Sequence, residues 1–165
     1  MKIIVISDTH GNNILNTIRR IDNVDVIIHL GDYYTDILPI KDKLEVPVHY
    51  VKGNCDFAPE VPAQLLLELS NKRVFISHGH WFNVKLGLDE LIDKAIEKDA
   101  DLVLYGHTHV ADISMDNGII FLNPGSASIP NGDDFTTIGI INIQDNKIKA
   151  SIKTLEELNA VYLND

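Results

Sequence analysis

The chain has 165 residues, of which 45% are apolar, and 14 Lys and Arg against 24 Asp and Glu give a formal charge of -10. This length suits a single domain over residues 1–165, and the acidic balance argues against binding long nucleic acids or anionic membranes. The sequence lacks an apolar stretch long enough for a transmembrane helix or a signal peptide, so we expect a cytoplasmic protein, and its single cysteine excludes an internal disulfide.

Strand and helix patterns alternate in the first third of the chain. Helical spacing of isoleucine and leucine predicts a helix from Asn12 to Ile21. A short helix is expected within residues 35–44, where Pro39 limits it to a start near that proline. Apolar runs predict three strands, at residues 2–7, 24–30 and 47–51.

The rest of the chain is mostly predicted strand. An amphipathic helix is predicted over residues 87–98, with Leu91, Ala95 and Ile96 among its inward positions, and a strand at 101–105. This pattern indicates an α+β or α/β fold, a two-sheet β-sandwich flanked by helices. Short polar turns separate three predicted hairpins, at 63–69 with 73–77, 110–115 with 118–122 and 136–143 with 147–154.

Five of the predicted strands end in side chains that can bind a metal ion. Ligands gather beyond the carboxyl ends of strands in sheets flanked by helices, and divalent cations prefer the oxygen and nitrogen donors of Asp, Asn and His. One such strand end would mean little, whereas five in succession predict a site. The five groups are Asp8-Thr9-His10, Gly31-Asp32, Gly53-Asn54-Cys55-Asp56, His78-Gly79-His80 and Gly106-His107-Thr108-His109.

The spacing within these groups predicts how they reach an ion. Extended backbone places residues i and i+2 on one side, so Asp8 with His10, and His107 with His109, are expected to share an ion. Gly31 is expected to let the backbone approach the ions. The seven candidate ligands exceed the roughly four protein ligands of a single ion and favour two ions that share a carboxylate. They are Asp8, His10, Asp32, Asn54, His78, His107 and His109.

Taken in order, the motifs DTH, GD, GNCD, HGH and GHTH resemble those of the calcineurin-like metallophosphoesterases. The resemblance runs from Asp8 to about Ser126 and includes the sequence NPGS at 123–126. It is closest to the small single-domain phosphodiesterases of the YfcE type. The resemblance implies a four-layer fold in which two β-sheets are flanked by helices, in agreement with the strand pattern.

The resemblance also implies a ligand assignment and a reaction. Asp32 would bridge two divalent ions, with manganese as the first choice and nickel, iron, cobalt or zinc as alternatives. A hydroxide that bridges the ions would attack a small phosphodiester, so no side chain is assigned as the nucleophile. The first ion would be held by Asp8, His10, Asp32 and His109, and the second by Asp32, Asn54, His78 and His107.

This sequence departs from the general family pattern at Cys55. Other members carry a His there, which is credited with protonating the leaving oxygen or holding the phosphate. A thiol near two cations favours the thiolate and is a poor substitute, although YfcE-type members share this Cys. Asp56 matches the acidic residue that would orient the missing His and is expected to have lost that role. His80 is the candidate replacement acid.

Two other functions use the same fold or the same ions. A eukaryotic retromer scaffold subunit resembles this family and binds proteins, but a scaffold has no need to keep seven good ligands. A phosphomonoesterase or a nuclease would use the same ions, and a nuclease would need a basic track that the charge disfavours. The residues name neither the substrate nor the oligomeric state, so a homo-oligomer stays open.

Overall fold

Two five-stranded sheets pack face to face across a shared apolar core. The computed structural model describes residues 1–12, 18–19, 21–41, 43–44, 46–131 and 135–160. The strands in these residues are β1 (Lys2–Ile6), β2 (Val26–His29), β3 (Val48–Tyr50), β4 (Gln64–Leu69), β5 (Lys72–Ser77), β6 (Leu102–Leu104), β7 (Ala111–Asp116), β8 (Ile119–Pro124), β9 (Thr137–Gln144) and β10 (Lys147–Thr154).

Each sheet combines three parallel strands with antiparallel strands, which lie on one side of the parallel strands in the first sheet and on both sides in the second. The first sheet has the order β10-β9-β1-β2-β3, in which β1, β2 and β3 are parallel. The second has the order β4-β5-β6-β8-β7, in which β5, β6 and β8 are parallel. The predicted two-sheet sandwich is therefore confirmed, and the parallel strands place several carboxyl strand ends at one edge of each sheet.

Side chains alternate between the two faces of a strand, and the central strands are buried because both of their faces are covered. In β1, Ile3 and Val5 point into the core between the sheets, whereas Ile4 and Ile6 point into a second core outside the first sheet. A third core, which includes Phe75, covers the outer face of the second sheet. The chain thus forms three apolar layers, and the loops at the strand ends rest on fixed strands.

All three predicted hairpins are present, and each has a two-residue turn. Both turn residues have positive φ in Ser70-Asn71, Asn117-Gly118 and Asp145-Asn146. This conformation defines a type I′ turn, whose twist matches that of the flanking strands. Asn, Asp and Gly tolerate positive φ at low cost, which explains why the polar turn residues predicted these hairpins correctly.

Helices cover the outer faces of the sheets. Pro39 lies in the first turn of the helix Leu38–Lys41, as expected. In the helix Asp89–Glu97, Leu91 and Ala95 are buried, but Ile96 is 51% exposed and the prediction that it points inward is wrong. Ile96 lies at the margin of the apolar stripe. The helices are a 3₁₀ turn at Tyr34–Ile37, α1 (Leu38–Lys41), a 3₁₀ turn at His80–Phe82, α2 (Asp89–Glu97) and α3 (Leu155–Ala160).

One predicted helix lies largely outside the described residues, and one observed helix was not predicted. The helix predicted from Asn12 to Ile21 falls largely outside the described residues. Helix α3 was not predicted, although the sequence carries its signal: Glu157 N donates to Thr154 Oγ1 at 3.0 Å, and Thr154 N donates to Glu157 Oε2 at 3.2 Å. This reciprocal pair is a capping box. No helix in the described part of the chain has both the length and the apolar character needed to cross a membrane.

The core between the sheets should dominate stability. Ile76 is fully buried there, whereas Leu66 on the neighbouring strand is 37% exposed. We expect Ile76→Ala to lower the free energy of unfolding by about 2–5 kcal/mol, through lost burial and a cavity. The matched variant Leu66→Ala should cost less than about 1 kcal/mol. Urea unfolding of both variants measures the difference, and equal losses would contradict this account of the core.

Candidate metal centre

Five loops converge where the carboxyl ends of strands from both sheets meet. The first sheet supplies the loops after β1, β2 and β3, and the second supplies those after β5 and β6. Backbone bonds join the loops: Asp8 N donates to Gly31 O at 3.1 Å, and Gly106 N donates to His78 O at 3.0 Å. All seven side chains expected to bind metal lie in these loops: Asp8, His10, Asp32, Asn54, His78, His107 and His109.

Left-handed backbone, and not extended backbone, directs these side chains inward. Positive φ angles occur at Asp8 (54°), His10 (45°), Asp32 (56°), His107 (71°) and His109 (61°). The expectation that extended geometry pairs the residues at i and i+2 is therefore wrong. At the three histidines this backbone costs about 1–2 kcal/mol each, and less at the two aspartates, so the surrounding contacts must hold the histidines in place.

Glycines allow the loops to touch one another. A Cβ on Gly31 would overlap the backbone of Gly53, and a Cβ on Gly53 would overlap Asp32. A Cβ on Gly106 would lie 2.9 Å from Asp8 Oδ2. The expectation that Gly31 brings the backbone to the ions is thus corrected: these glycines bring the loops of different strands together.

Four of the seven side chains form a tight cluster. The ligand atoms of Asp8, His10, Asp32 and His109 all lie within 4.8 Å of one another. Nε2 of His109 lies 3.1 Å from Asp8 Oδ1 and 3.5 Å from His10 Nε2. Both carboxylates are buried. This cluster matches the set that the resemblance implies for the first ion.

The other three side chains form a group around His78, which adjoins the second oxygen of Asp32. His78 Nε2 lies 3.5 Å from Asp32 Oδ1 and 3.2 Å from Asn54 Oδ1. The rings of His78 and His107 are 5.1 Å apart between centroids. Asp32 therefore lies between the two groups, with Oδ2 toward His10 at 3.9 Å and Oδ1 toward His78.

Two histidine rings are held with Nε2 facing the centre. Nδ1 of His78 donates to Leu30 O at 2.9 Å, and Nδ1 of His109 donates to Ile129 O at 2.6 Å. A neutral ring bonded in this way leaves a lone pair on Nε2, the form in which histidine binds metals. The backbone carbonyls thus set the tautomer that metal binding requires.

Asp8 Oδ1 and His109 Nε2 lie so close together that a positive charge is needed between them. Asp8 Oδ1 is buried, and no described residue hydrogen-bonds to it, although His109 Nε2 is 3.1 Å away. Since the other ring nitrogen of His109 already donates its hydrogen, two lone pairs face each other. Either a second proton on His109 or a metal ion removes this repulsion. The donor set therefore fits a metal ion.

The charge states favour metal binding at neutral pH. Burial alone would raise the pKa of Asp8, but His109 and His78 together hold it below its usual value. The contact with Asp8 raises the pKa of His109. Burial, with the charges of His78 and Lys85, lowers the pKa of His107 to about 4. Asp8 is thus an anion and His107 is neutral, and both are the forms that bind metals.

Asp56 has a structural role that sequence reasoning missed. Its carboxylate accepts backbone N–H bonds from Tyr33 at 2.8 Å, Tyr34 at 3.3 Å and Gly53 at 2.8 Å. These bonds tie the loop after β2 to the loop after β3. The expectation that Asp56 has lost its role is incomplete, because the carboxylate positions both loops whatever residue occupies position 55.

Cys55 faces the same carboxylates through its backbone and its sulfur. Its N–H donates to Asp32 Oδ1 at 2.8 Å. Desolvation of the sulfur and the negative charge of Asp32 and Asp56 raise the pKa of the thiol to about 11. The protein alone therefore favours the thiol, and the expected thiolate would require the field of bound cations.

His80 lies beside the centre without joining it. Its ring is 5.3 Å from that of His78 and 5.1 Å from that of Trp81, between centroids. Burial and the neighbouring His78 lower the pKa of His80. The protonated form is therefore scarce at neutral pH, which disfavours the expected role of His80 as a replacement acid.

Two further groups position Asp8 and its neighbours. Ser126 Oγ and Ser128 Oγ donate to Asp8 O at 2.7 and 3.1 Å, so the loop after β8 holds the loop after β1. Fully buried His29 accepts from Gly31 N at 3.1 Å and lies 3.1 Å from Thr9 Oγ1. Of Ser126, Ser128 and His29, only Ser126 belongs to a motif that the sequence pattern indicated, NPGS at 123–126.

The sequence matches the family model of the calcineurin-like phosphoesterase superfamily domain over residues 1–146. The chain belongs to this superfamily. This match extends from β1 to the turn after β9 and covers all seven candidate ligands.

Several relatives of this chain carry the name metallophosphoesterase or phosphodiesterase. The probable metallophosphoesterase YsnB of Bacillus subtilis is 37% identical over 133 residues, which cover 79% of this chain and 77% of YsnB. A probable metallophosphoesterase of Methanothermobacter thermautotrophicus is 32% identical over 160 residues, 92% of this chain and 91% of that protein. The phosphodiesterase YfcE of Escherichia coli is 29% identical over 171 residues, 86% of this chain and 88% of YfcE.

Solved structures share the fold. A predicted phosphoesterase of Streptococcus pneumoniae has a TM-score of 0.80 and 32% identity and covers 94% of this chain and 90% of its own. Vps29 of Entamoeba histolytica, complexed with Zn²⁺, has a TM-score of 0.66 and 23% identity, with coverage of 94% and 99%. At that identity, Vps29 shows the fold alone.

His29 should make stability depend on pH. Burial lowers the pKa of His29 from 6.5 to about 4, so between these values the unfolded chain takes up a proton that the folded chain does not. Stability therefore falls as the pH falls through this window, by about 2 kcal/mol from pH 7 to pH 5. We expect His29→Asn to remove this part of the pH dependence. Urea unfolding of metal-free protein at both pH values measures it.

The control is His49→Asn in the neighbouring strand. Desolvation also lowers the pKa of His49, but its side chain is only partly buried, so its share of the pH dependence should be smaller. If His29→Asn and the wild type lost the same stability on acidification, His29 would not be the buried neutral group described above.

Proposed function

We propose that this protein is a phosphodiesterase that uses two divalent metal ions to hydrolyse small phosphodiesters. The observation that carries this proposal is the cluster of Asp8, His10, Asp32 and His109, whose ligand atoms lie within 4.8 Å of one another. Two members are buried carboxylates, and buried charge is costly unless it is compensated. Divalent cations supply that compensation.

The ligand set suits two ions with one shared carboxylate. Asp32 would bridge them, since its two oxygens face different histidines. Manganese is our first choice because it accepts carboxylate ligands, and the imidazoles also suit iron, nickel, cobalt or zinc. Asp8, His10, Asp32 and His109 would hold the first ion, and Asp32, Asn54, His78 and His107 the second.

The protein's part in the reaction is to hold the ligands in their binding form. In hydrolysis, water supplies the oxygen that bonds to phosphorus, the bond to the leaving alcohol breaks, and that alcohol takes up a proton. Two bound ions would lower the pKa of a shared water and stabilise charge at phosphorus during in-line displacement. Leu30 O and Ile129 O orient His78 and His109 for this task, and the Cys55 N–H orients Asp32.

Similarity to a named phosphodiesterase supports a diester as the substrate. YfcE carries that name and aligns with most of this chain. The formal charge of -10 supports a small substrate over long nucleic acid, because a nuclease relies on basic residues to neutralise phosphates. A monoesterase would use the same ligands, so substrate assays must separate the two activities.

The alternative function is that of a non-catalytic scaffold that binds other proteins. Vps29 is similar to this chain in fold, and that similarity does not by itself show a shared role. Seven donor side chains in one place support the enzyme instead, because protein binding gives no reason to bury two carboxylates opposite histidines. A scaffold would hydrolyse no ester with any metal.

The domain organisation and location belong to the same proposal. We infer a single domain over 1–165, since β10 and α3 continue the first sheet and its outer layer beyond residue 146. We also infer that the protein acts in the cytoplasm on a small molecule, without a membrane or long nucleic acid as partner.

A metal-dependent screen tests the function. Purified protein, stripped of metal and reconstituted with Mn²⁺, Ni²⁺, Co²⁺ or Zn²⁺, should bind about two ions per chain and hydrolyse bis(4-nitrophenyl) phosphate faster than 4-nitrophenyl phosphate. Elemental analysis and nitrophenolate absorbance provide the readouts. A stoichiometry that stays at one ion would overturn the binuclear proposal, and a lack of activity with every metal would favour the scaffold.

Asp32 should matter more than any other single ligand, because it alone would touch both ions. We expect Asp32→Asn to reduce bound metal to one ion or fewer and to lower kcat/KM at least about a hundredfold. Asn54→Ala should lose only the second ion. The control Asp99→Asn removes the same charge at a 95% exposed side chain and should leave both readouts unchanged. Two ions and near-normal turnover in Asp32→Asn would show that Asp32 does not bridge.

A further inference from the structure

A pocket beside the candidate metal centre is large enough for an organic group. Its volume is about 520 Å³, within the range of small-molecule sites. None of its lining residues is among the seven candidate ligands. The lining includes Val84, Lys85, Tyr105, Thr108, Asp112 and Asn131.

The pocket is continuous with the loop that carries two candidate ligands. Thr108 stands between His107 and His109 in the chain and lines the pocket wall. Asn131 N donates to His109 O at 3.1 Å, and Asn131 Nδ2 donates to Thr108 O at 3.3 Å. A diester whose phosphate lies at the metal centre can therefore extend one substituent into this pocket.

Lys85 supplies a positive charge on one side of the pocket. The preceding residue, Val84, is only 6% exposed and packs into the core between α2 and the second sheet. This buried neighbour holds the backbone at Lys85 in place. Lys85 lines the same pocket as Thr108, the residue between two candidate ligands, which places the lysine near the metal-centre loop.

The part of the pocket around Tyr105 and Asp112 offers polar groups of a different kind. The hydroxyl of Tyr105 donates to Asp112 Oδ2 at 3.5 Å, and Tyr105 itself is buried. A carboxylate on this side accepts hydrogen bonds from hydroxyls and repels anions. The polarity of the pocket therefore favours a group that carries hydroxyls toward Asp112 and an anion toward Lys85.

We propose that this pocket binds one alcohol group of the diester, and that Lys85 pairs with a second phosphate on that alcohol. The substrate class is thus a phosphodiester of a phosphorylated alcohol. A lysine is a common point-charge partner for phosphate. The inference rests on the proposed function, because that function places the first phosphate at the metal centre.

A matched pair of substrates tests the inference. 4-Nitrophenyl ethyl phosphate and its analogue with a terminal phosphate on the ethyl group share one leaving group, so nitrophenolate reports both reactions. We expect the phosphorylated ester to have about a tenfold higher kcat/KM. Lys85→Gln should abolish this preference, measured as the ratio of kcat/KM for the two esters in the same variant. Lys85→Arg should keep most of it, since the charge is retained.

Binding of non-cleavable analogues gives a readout that does not require turnover. In the 4-nitrobenzylphosphonate analogues, a CH₂ group replaces the nitrophenyl ester oxygen. On Zn²⁺-treated protein, calorimetry should show the phosphorylated analogue binding about tenfold more tightly than the plain one, and Lys85→Gln should remove the difference. Amide shifts in ¹⁵N spectra should centre on Thr108 and Asn131.

Lys94→Gln is the control for net charge, because Lys94 pairs with Glu97 on α2 and lies outside the pocket. It should keep the preference for the phosphorylated analogue. A wild type without that preference, or a preference that survives Lys85→Gln, overturns the inference. If neither ester were hydrolysed with any metal, the proposed function would fail, and the binding comparison would still decide the role of Lys85.

Discussion

Burial of two carboxylates in one site is the constraint from which the rest of this structure follows. Asp8 and Asp32 are 0% and 2% exposed, and their oxygens approach the same histidine. Charges removed from water are stable only with compensation close by. In the metal-free protein this compensation comes from hydrogen bonds and from a raised pKa at His109. Metal ions would supply far more of it, so binding should couple strongly to stability.

The fold stabilises a backbone that is unfavourable by itself. Left-handed conformations at five candidate ligand positions are unfavourable, at about 1–2 kcal/mol for each of the three histidines and less for the two aspartates. The cost is met by parallel strands buried on both faces, which fix where each loop begins. Asp56 and Ser126 then tie the loops to one another through backbone groups, and His29 contacts Thr9 Oγ1 in the loop after β1. Because these ties run between loops of different strands, a shift in one strand would disturb the whole centre.

Much of this arrangement was predictable from local sequence, and the failures have physical causes. Strands, hairpin turns and polar strand ends are local patterns, and the structure has the strands and turns where they were predicted and brings the candidate ligands together. The direction of the ligand side chains was not predictable, because whether Asp8 is extended or left-handed depends on contacts with Gly106, about 100 residues away in sequence. The role of Asp56 was missed for the same reason, since its partners Tyr33 and Tyr34 lie in another loop.

Under the proposed function, metal chemistry and substrate choice would occupy different parts of the chain. The loops that carry the candidate ligands are constrained by the strand ends that precede them and by glycine contacts between them, so few substitutions there preserve the geometry. The pocket walls include Lys85, Asp112 and Asn131, which lie outside the five motifs and have no positive φ. Substitutions at these positions would then change which alcohol is bound without disturbing the ligands. On this proposal the motifs would identify the reaction, whereas the substrate would be encoded in residues that only the folded structure brings near the candidate metal centre.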